Sequence, residues 1–152
     1  MNRLLIIKKV QIGCLAFVLL ALFMGCSENK NRLMDTTWRV VSIKTSENSD
    51  YLYPEDFLYA EEVLCLDIRK IRKDETFTFH SVRCFIGGKL KIRNNKIDFK
   101  DTSLSLDKYC DPFMEDIANL LINKINYYET DGRTLILTGK NGVEFNCVIY
   151  IQ

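Results

Sequence analysis

The chain reads as an α+β domain dominated by antiparallel strands, a β roll or barrel with one packed helix. Three observations predict it. Period-two alternation of apolar and polar residues recurs from Thr37 to Ile151. Two-residue turn signals separate the alternating runs, as at Asn94-Asn95 and Asp131-Gly132. A single stretch, from Asp111 to Lys124, shows helical spacing instead.

Ahead of this domain, Arg3, Lys8 and Lys9 form a positive flank, Val10 to Gly25 form an apolar run, and Gly25 directly precedes Cys26. That is the layout of a secretory signal. The run counts to about 16 residues with Gln11 inside it, short of the roughly 20 that a membrane-spanning helix needs. Leu22-Phe23-Met24-Gly25-Cys26 resembles the lipobox of bacterial lipoproteins, in which the cysteine is acylated and becomes the mature N-terminus. The resemblance implies a signal peptide over residues 1–25, then Cys26 and a tether over residues 26–34, then the domain over residues 35–152. It also implies a lipid-anchored protein of the cell envelope. Ser27 after the cysteine resembles outer-membrane sorting more than inner-membrane retention. Loss of residues 1–25 would change the formal net charge from +1 to −2. The remaining Lys and Arg are interspersed with Asp and Glu, so no broad basic field exists to displace counterions from nucleic acid.

Within the domain, Thr37 to Lys44 opens as a β-branched strand around Trp38, the only tryptophan. Ser46 to Glu62 breaks the alternation yet carries Tyr51, Tyr53, Phe57 and Tyr59. These aromatics either cap an open end of the sheet or line a mouth for an apolar ligand. Val63 to Ile71 and Thr76 to Val82 alternate as a hairpin with Lys73-Asp74 at its turn. Gly87-Gly88 precede a second hairpin, Lys89 to Arg93 and Lys96 to Phe99, whose Asn94-Asn95 turn tolerates positive φ. Leu104 and Leu106 mark one more short strand.

Asp111 followed by Pro112 is a helix start: a side-chain acceptor at the cap, then a proline whose missing N–H costs nothing there. Phe113, Ile117, Leu120, Leu121 and Lys124 follow at helical spacing. Ile125 to Glu129, Thr134 to Thr138 and Val143 to Ile151 then form a meander through turns at Asp131-Gly132 and Lys140-Asn141-Gly142.

Once Cys14 and Cys26 are set aside, Cys65, Cys84, Cys110 and Cys147 remain. An even set in an oxidising compartment reads as two disulfides, although buried free thiols are the competing reading. No Cys-x-x-Cys spacing supports zinc. Spacing alone leaves three connectivities open. Cys65 and Cys147 fall mid-strand while Cys84 and Cys110 fall just after strands, and pairing like with like joins Cys65 to Cys147 and Cys84 to Cys110.

Taken in order, Thr37-Trp38-Arg39-Val40-Val41-Ser42-Ile43, the Phe77-Thr78-Phe79 strand leading to Cys84, and the Gly87-Gly88-Lys89-Leu90 turn are followed by Thr102-Ser103-Leu104 leading to Tyr109-Cys110, the helix to Leu121, and Tyr127-Tyr128 before Leu135-Ile136-Leu137. In that order and spacing the stretch from Leu33 to Tyr150 resembles the META domain family, the HslJ-like heat-shock proteins of bacterial envelopes. Val82-Arg83-Cys84-Phe85 stands where that family commonly has Gly-Gly-Cys-Asn. The resemblance implies a largely antiparallel roll or barrel with one helix across it, supports joining Cys84 to Cys110, and links the chain to envelope stress rather than to a reaction.

Catalytic groups are sparse. His80 is the only histidine and alternates with Phe77 and Phe79 toward the outside, and the carboxylates are scattered without a pairing signature. Gly87-Gly88 lacks the strand-to-helix context of a nucleotide fingerprint. The expectation is a non-enzymatic, membrane-tethered binding or stress-support module without metal or cofactor, whose partner is an envelope protein or peptide. The alternative is a lipocalin-like carrier of a small apolar ligand, with Tyr51, Tyr53, Phe57 and Tyr59 at its mouth. Filling of the interior by Trp38, Phe77, Phe79 and Phe145 would decide against the carrier.

Overall fold

The computed structural model describes residues 32–58, 62–82, 84–106 and 112–151. The signal segment, Cys26, Tyr59 and Cys110 lie outside the described residues. Among the described residues no helix is long and apolar enough to cross a membrane.

Among the described residues nine strands follow one another: β1 (Thr36–Lys44), β2 (Tyr51–Leu52), β3 (Cys65–Ile71), β4 (Asp74–His80), β5 (Cys84–Arg93), β6 (Lys96–Leu106), β7 (Ile125–Thr130), β8 (Thr134–Gly139) and β9 (Glu144–Ile149). One helix, α1 (Pro112–Lys124), separates β6 from β7. Every strand pairing is antiparallel, and β1 hydrogen-bonds to β9 as well as to β3, which closes eight strands into a barrel. Closure removes the unpaired edges that an open sheet would expose. The ninth strand, β2, is a two-residue addition along the far end of β1, paired through Ile43 and Lys44.

Alternation along the strands builds the core. Trp38 and Val40, then Leu64, Leu66 and Ile68, then Phe77 and Phe79, then Leu90 and Ile92, Ile97 and Phe99, Leu135 and Leu137, and Phe145 and Cys147 all turn inward and are buried in a single cluster. Full burial of a large apolar side chain contributes roughly 1.5–3 kcal/mol, so this inner face dominates the stability of the domain.

The closure is uneven. β1 and β9 share a continuous run of partners with one bulge between Val40 and Ser42, whereas β6 and β7 meet at the single pair Lys96 with Tyr127. Tyr128 reinforces that junction: its N–H donates to the Asn95 carbonyl and its hydroxyl to the Asn94 carbonyl, each at 2.9 Å. Beyond it α1 packs against both strands, burying Met114, Ile117, Ala118 and Leu121. These sit at the i, i+3, i+4, i+7 spacing of one helical face. The face is rotated from the one the sequence suggests, leaving Lys124 exposed and Phe113 and Leu120 at its margin.

Two turn assignments shift. The β3–β4 turn is Arg72-Lys73, with Arg72 at φ 58°, rather than Lys73-Asp74. Gly87-Gly88 lie inside β5, not ahead of it, at an irregularity of the β5–β6 ladder. A Cβ at Gly88 would stand 2.6 Å from the Lys100 carbonyl oxygen and 2.9 Å from the Phe77 ring, so the glycine is there for close packing inside a strand. The Asn94-Asn95 turn is as expected, with Asn94 at φ 54°.

Candidate functional site

The barrel interior is occupied by side chains. Trp38, Phe77, Phe79 and Phe145 are all buried within it. Phe77 meets Phe99 edge-on at 4.8 Å between ring centroids, and Phe79 meets Phe145 at 6.3 Å. Such edge-to-face pairs add to area burial and fix the rings in place. Trp38 donates its indole N–H to the Leu33 carbonyl at 3.4 Å.

Of the aromatics proposed for a ligand mouth, the described Tyr51, Tyr53 and Phe57 have separate surroundings. Phe57 is taken up by α1, its ring 5.0 Å from that of Phe113 in an edge-on contact. Tyr51 registers with Lys44 on the outer side of the wall, opposite the inward Ile43. Its hydroxyl donates to Glu144 at 2.9 Å, and the Lys44 ammonium stands 5.8 Å from its ring centroid. The bond to the Glu144 carboxylate, then that group's charge, raises the Tyr51 pKa. Tyr53 is exposed.

The expected Cys65–Cys147 disulfide is not formed: both cysteines are free and buried. The register gives the reason. Cys65 is on β3 opposite Arg39, and Cys147 is on β9 opposite Val40, so β1 lies between them. Two strand spacings come to roughly 9–10 Å, beyond the roughly 7 Å between Cα atoms that a disulfide spans. Arg39 points out and Val40 points in, which also puts the two thiols on opposite faces of the wall. Cys84 is disulfide-bonded.

What the sequence reading dispersed as unrelated exposed residues, the β3–β4 register collects. Cys65 stands opposite His80, and Asp67 opposite Thr78 on one side and Thr37 of β1 on the other. Thr37, Cys65, Asp67, Arg69, His80 and Tyr150, among others, line a concavity of about 530 Å³ on the outer wall. Asp67 is its hub. One carboxylate oxygen accepts from the Thr37 hydroxyl and from Arg69 at 3.3 Å, and the other lies 3.0 Å from His80 Nε2. Arg69 also donates to the Thr37 hydroxyl oxygen at 2.8 Å. Both Asp67 and His80 are half-buried, where charge-assisted bonds hold side chains in one arrangement more firmly than in open water.

Cys65, only 1% exposed, forms the floor. Cysteine, histidine and aspartate thus share one surface, but the thiol is not primed. Burial first, then the negative charge of Asp67, pushes its pKa up to about 11 against a smaller opposing pull from Arg39. At neutral pH the group is a neutral thiol beside a histidine hydrogen-bonded to Asp67. That arrangement suits recognition of a polar group better than nucleophilic attack. Among the described residues, no cluster of three or more His, Cys, Asp or Glu side chains is placed to hold a metal ion.

A hairpin count could have found this site. With the turn at Arg72-Lys73, Cys65 pairs with His80; with the turn one residue later, it pairs with Val82 and His80 moves opposite Asp67.

No family model matches the chain, and no curated protein matches it. Among solved structures, the chain is similar to a protein from Burkholderia xenovorans determined by NMR, with a TM-score of 0.62 and 13% sequence identity. The match covers 79% of this chain and 85% of that one. At this identity the similarity shows a shared fold.

Proposed function

We propose that the chain is an envelope lipoprotein whose META-like barrel is a non-enzymatic binding or stress-support module that recognises its partner on the outer wall. The observation that carries this reading is the division of labour between the two faces. The interior is filled by Trp38, Phe77, Phe79 and Phe145, while the outer wall carries a bonded Thr37–Asp67–Arg69–His80 network lining a concavity. A carrier of apolar cargo needs an enclosed apolar space, and these four rings occupy it. The antiparallel barrel with one helix is what the META resemblance implies. The lipobox-like sequence before Cys26 supports the anchored address. With β1 closed onto β9 and the helix packed against β6 and β7 where they part, the domain offers a peptide little strand to extend, so side-chain recognition at the concavity is favoured over strand addition.

Native mass spectrometry of the full chain, expressed in an exporting bacterial host and released from its membranes in detergent, tests the proposal. The expected spectrum is a chain beginning at Cys26, heavier by its acyl groups, with no retained apolar molecule. Cys26→Ser should lose both the acyl mass and membrane association. A stoichiometric apolar ligand would replace this reading with the carrier, and an unacylated chain would remove the anchor.

A further inference from the structure

The thin junction between β6 and β7 opens a second concavity, of about 690 Å³, lined by Lys91, Arg93, Lys96, Asp98, Tyr127 and Lys140 among others. Its composition follows from strand alternation. Leu90 and Ile92 on β5 and Ile97 and Phe99 on β6 face the core, which turns Lys91, Arg93, Lys96 and Asp98 outward as the register pairs Lys91 with Asp98 and Arg93 with Lys96. Lys96 in turn pairs with Tyr127 across the junction. An irregularity between Ile125 and Tyr127 frees Asn126 from the β7–β8 ladder, and such bulges re-aim side chains beside functional sites. Gly139 permits the close approach behind the cleft, since a Cβ there would collide with the Lys124 carbonyl at the end of α1.

Four cations therefore converge on one hollow with a single carboxylate. Asp98 is already engaged, 3.1 Å from Lys100 Nζ, and nearby Lys89 stands 3.9 Å from Asp101. Among the described residues, no salt bridge engages Lys91, Arg93, Lys96 or Lys140. The same two strands thus pair their other lysines and, among the described residues, leave Lys91, Arg93 and Lys96 without an ion pair, as Lys140 after β8 also is. The Lys96 ammonium is held 5.9 Å from the centroid of the Tyr127 ring, within cation–π range, and that ring is 44% exposed.

We infer that this cleft binds a compact ligand carrying clustered phosphate groups. An excess of fixed positive charge calls for more than one negative charge on the ligand. The planar fork of Arg93 matches phosphate oxygens two at a time, and the lysines supply point charges around them. A hollow of this volume lies in the small-ligand range of roughly 300–1,000 Å³, which favours a compact polyanion over an extended acidic peptide. The inference is independent of the Asp67–His80 concavity and of the envelope address.

Isothermal titration of the full chain in neutral detergent with tripolyphosphate, pyrophosphate and orthophosphate tests it. Saturable one-to-one binding is expected, tightening with phosphate number. The Arg93→Gln, Lys140→Gln double variant should bind tripolyphosphate at least tenfold more weakly at an unchanged unfolding temperature. Lys70→Gln with Lys73→Gln, which neutralises two exposed cations at the β3–β4 hairpin, should bind as the unaltered protein does. Displacement of tripolyphosphate by phosphatidylglycerol vesicles, but not by phosphatidylcholine vesicles, would assign the phosphate to a lipid headgroup; insensitivity to both would assign it to a free compound. Absence of saturable binding, equal weakening by the two double variants, or equally tight binding of a polyglutamate peptide would overturn the inference.

Discussion

Cys147 and Cys65 are both buried and both unpaired, yet they sit on opposite faces of the same wall and experience different chemistry. Cys147 is enclosed by the apolar core, opposite Val40 and Leu135. Burial drives its pKa far up, with a smaller push from nearby Cys65. Cys65 is covered too, but its neighbours on the outer wall are Asp67, His80 and Ser81. The inner face is a packing problem solved by shape, and the outer face is a polar problem solved by hydrogen bonds. The first should govern stability and the second recognition, and the two faces can be tested against each other residue by residue.

The sharpest contrast uses adjacent residues of β4. Phe79 points inward and is buried against Phe145, while Thr78 points outward. Phe79→Ala should cost about 3–5 kcal/mol in urea unfolding through lost transfer energy and a residual cavity. Thr78→Ala should stay within about 0.5 kcal/mol, as surface changes usually do. Comparable losses at the two positions would break the division between faces.

Next in size is the cysteine pair itself. Cys147→Ser places a hydroxyl in an apolar environment, which costs about 1–3 kcal/mol if it finds no partner. Cys65→Ser places it among polar neighbours and should cost less than about 1 kcal/mol. Alkylation by iodoacetamide separates the same residues kinetically. With its thiol held up to about 11, Cys65 should label faster by about tenfold per pH unit from pH 8 to 10, where an ordinary thiol of pKa about 8.5 levels off. Cys147 should label only as the whole domain unfolds. A plateau for Cys65 near pH 9 would mean that its floor position is open to water.

The outer network should be worth less again. Asp67→Asn keeps the shape of the side chain and removes its charge from Arg69 and His80. Arg69 is 41% exposed and screened by solvent, so the expected loss is only about 0.5–1 kcal/mol. If the proposed function is right, partner binding should fall far more than stability does. A variant destabilised as severely as Phe79→Ala would instead make Asp67 a structural group.

The inner face was far more legible in the sequence than the outer one. Period two alone groups Leu64, Leu66 and Ile68 on one strand face, and Phe77 and Phe79 on one face of the next strand, because each strand's alternation carries that information locally. The concavity needed register, the relation between strands that sets His80 opposite Cys65 and Thr37 opposite Asp67. The disulfide expectation went astray for the same reason: Cys65 and Cys147 were matched by their places within strands, while β1 between them and the opposite faces of their side chains belong to strand order. The basic cleft was hidden in another way. Its cations come from β5, β6 and the residue after β8, segments balanced by acidic residues in composition but not in space.

The smallest effect is at a turn on the outer surface and distinguishes the faces by pH. Asp131, at the β7–β8 turn, accepts from the backbone N–H of Arg133 at 2.8 Å, from that of Thr134 at 2.7 Å, and from the Thr134 hydroxyl at 3.0 Å. These bonds favour the ionised carboxylate and lower its pKa to about 2, the Thr134 N–H contributing most. The unfolded chain holds an aspartate near 3.9. Because the folded value is the lower, the contribution is fully present above about pH 4 and is lost as pH falls toward 2. Asp131→Asn should therefore remove a small part of the acid-side decline in stability and leave the neutral-to-alkaline side parallel to that of the unaltered protein. Urea midpoints measured from pH 2 to 7 on the two proteins would show it. Among the described residues the inner face offers no carboxylate to titrate over this range, so Phe79→Ala should lower the whole profile without changing its slope. If Phe79→Ala instead steepened the acid limb while Asp131→Asn left it untouched, the pH response would belong to the core and the assignment of charge to the outer face would fail.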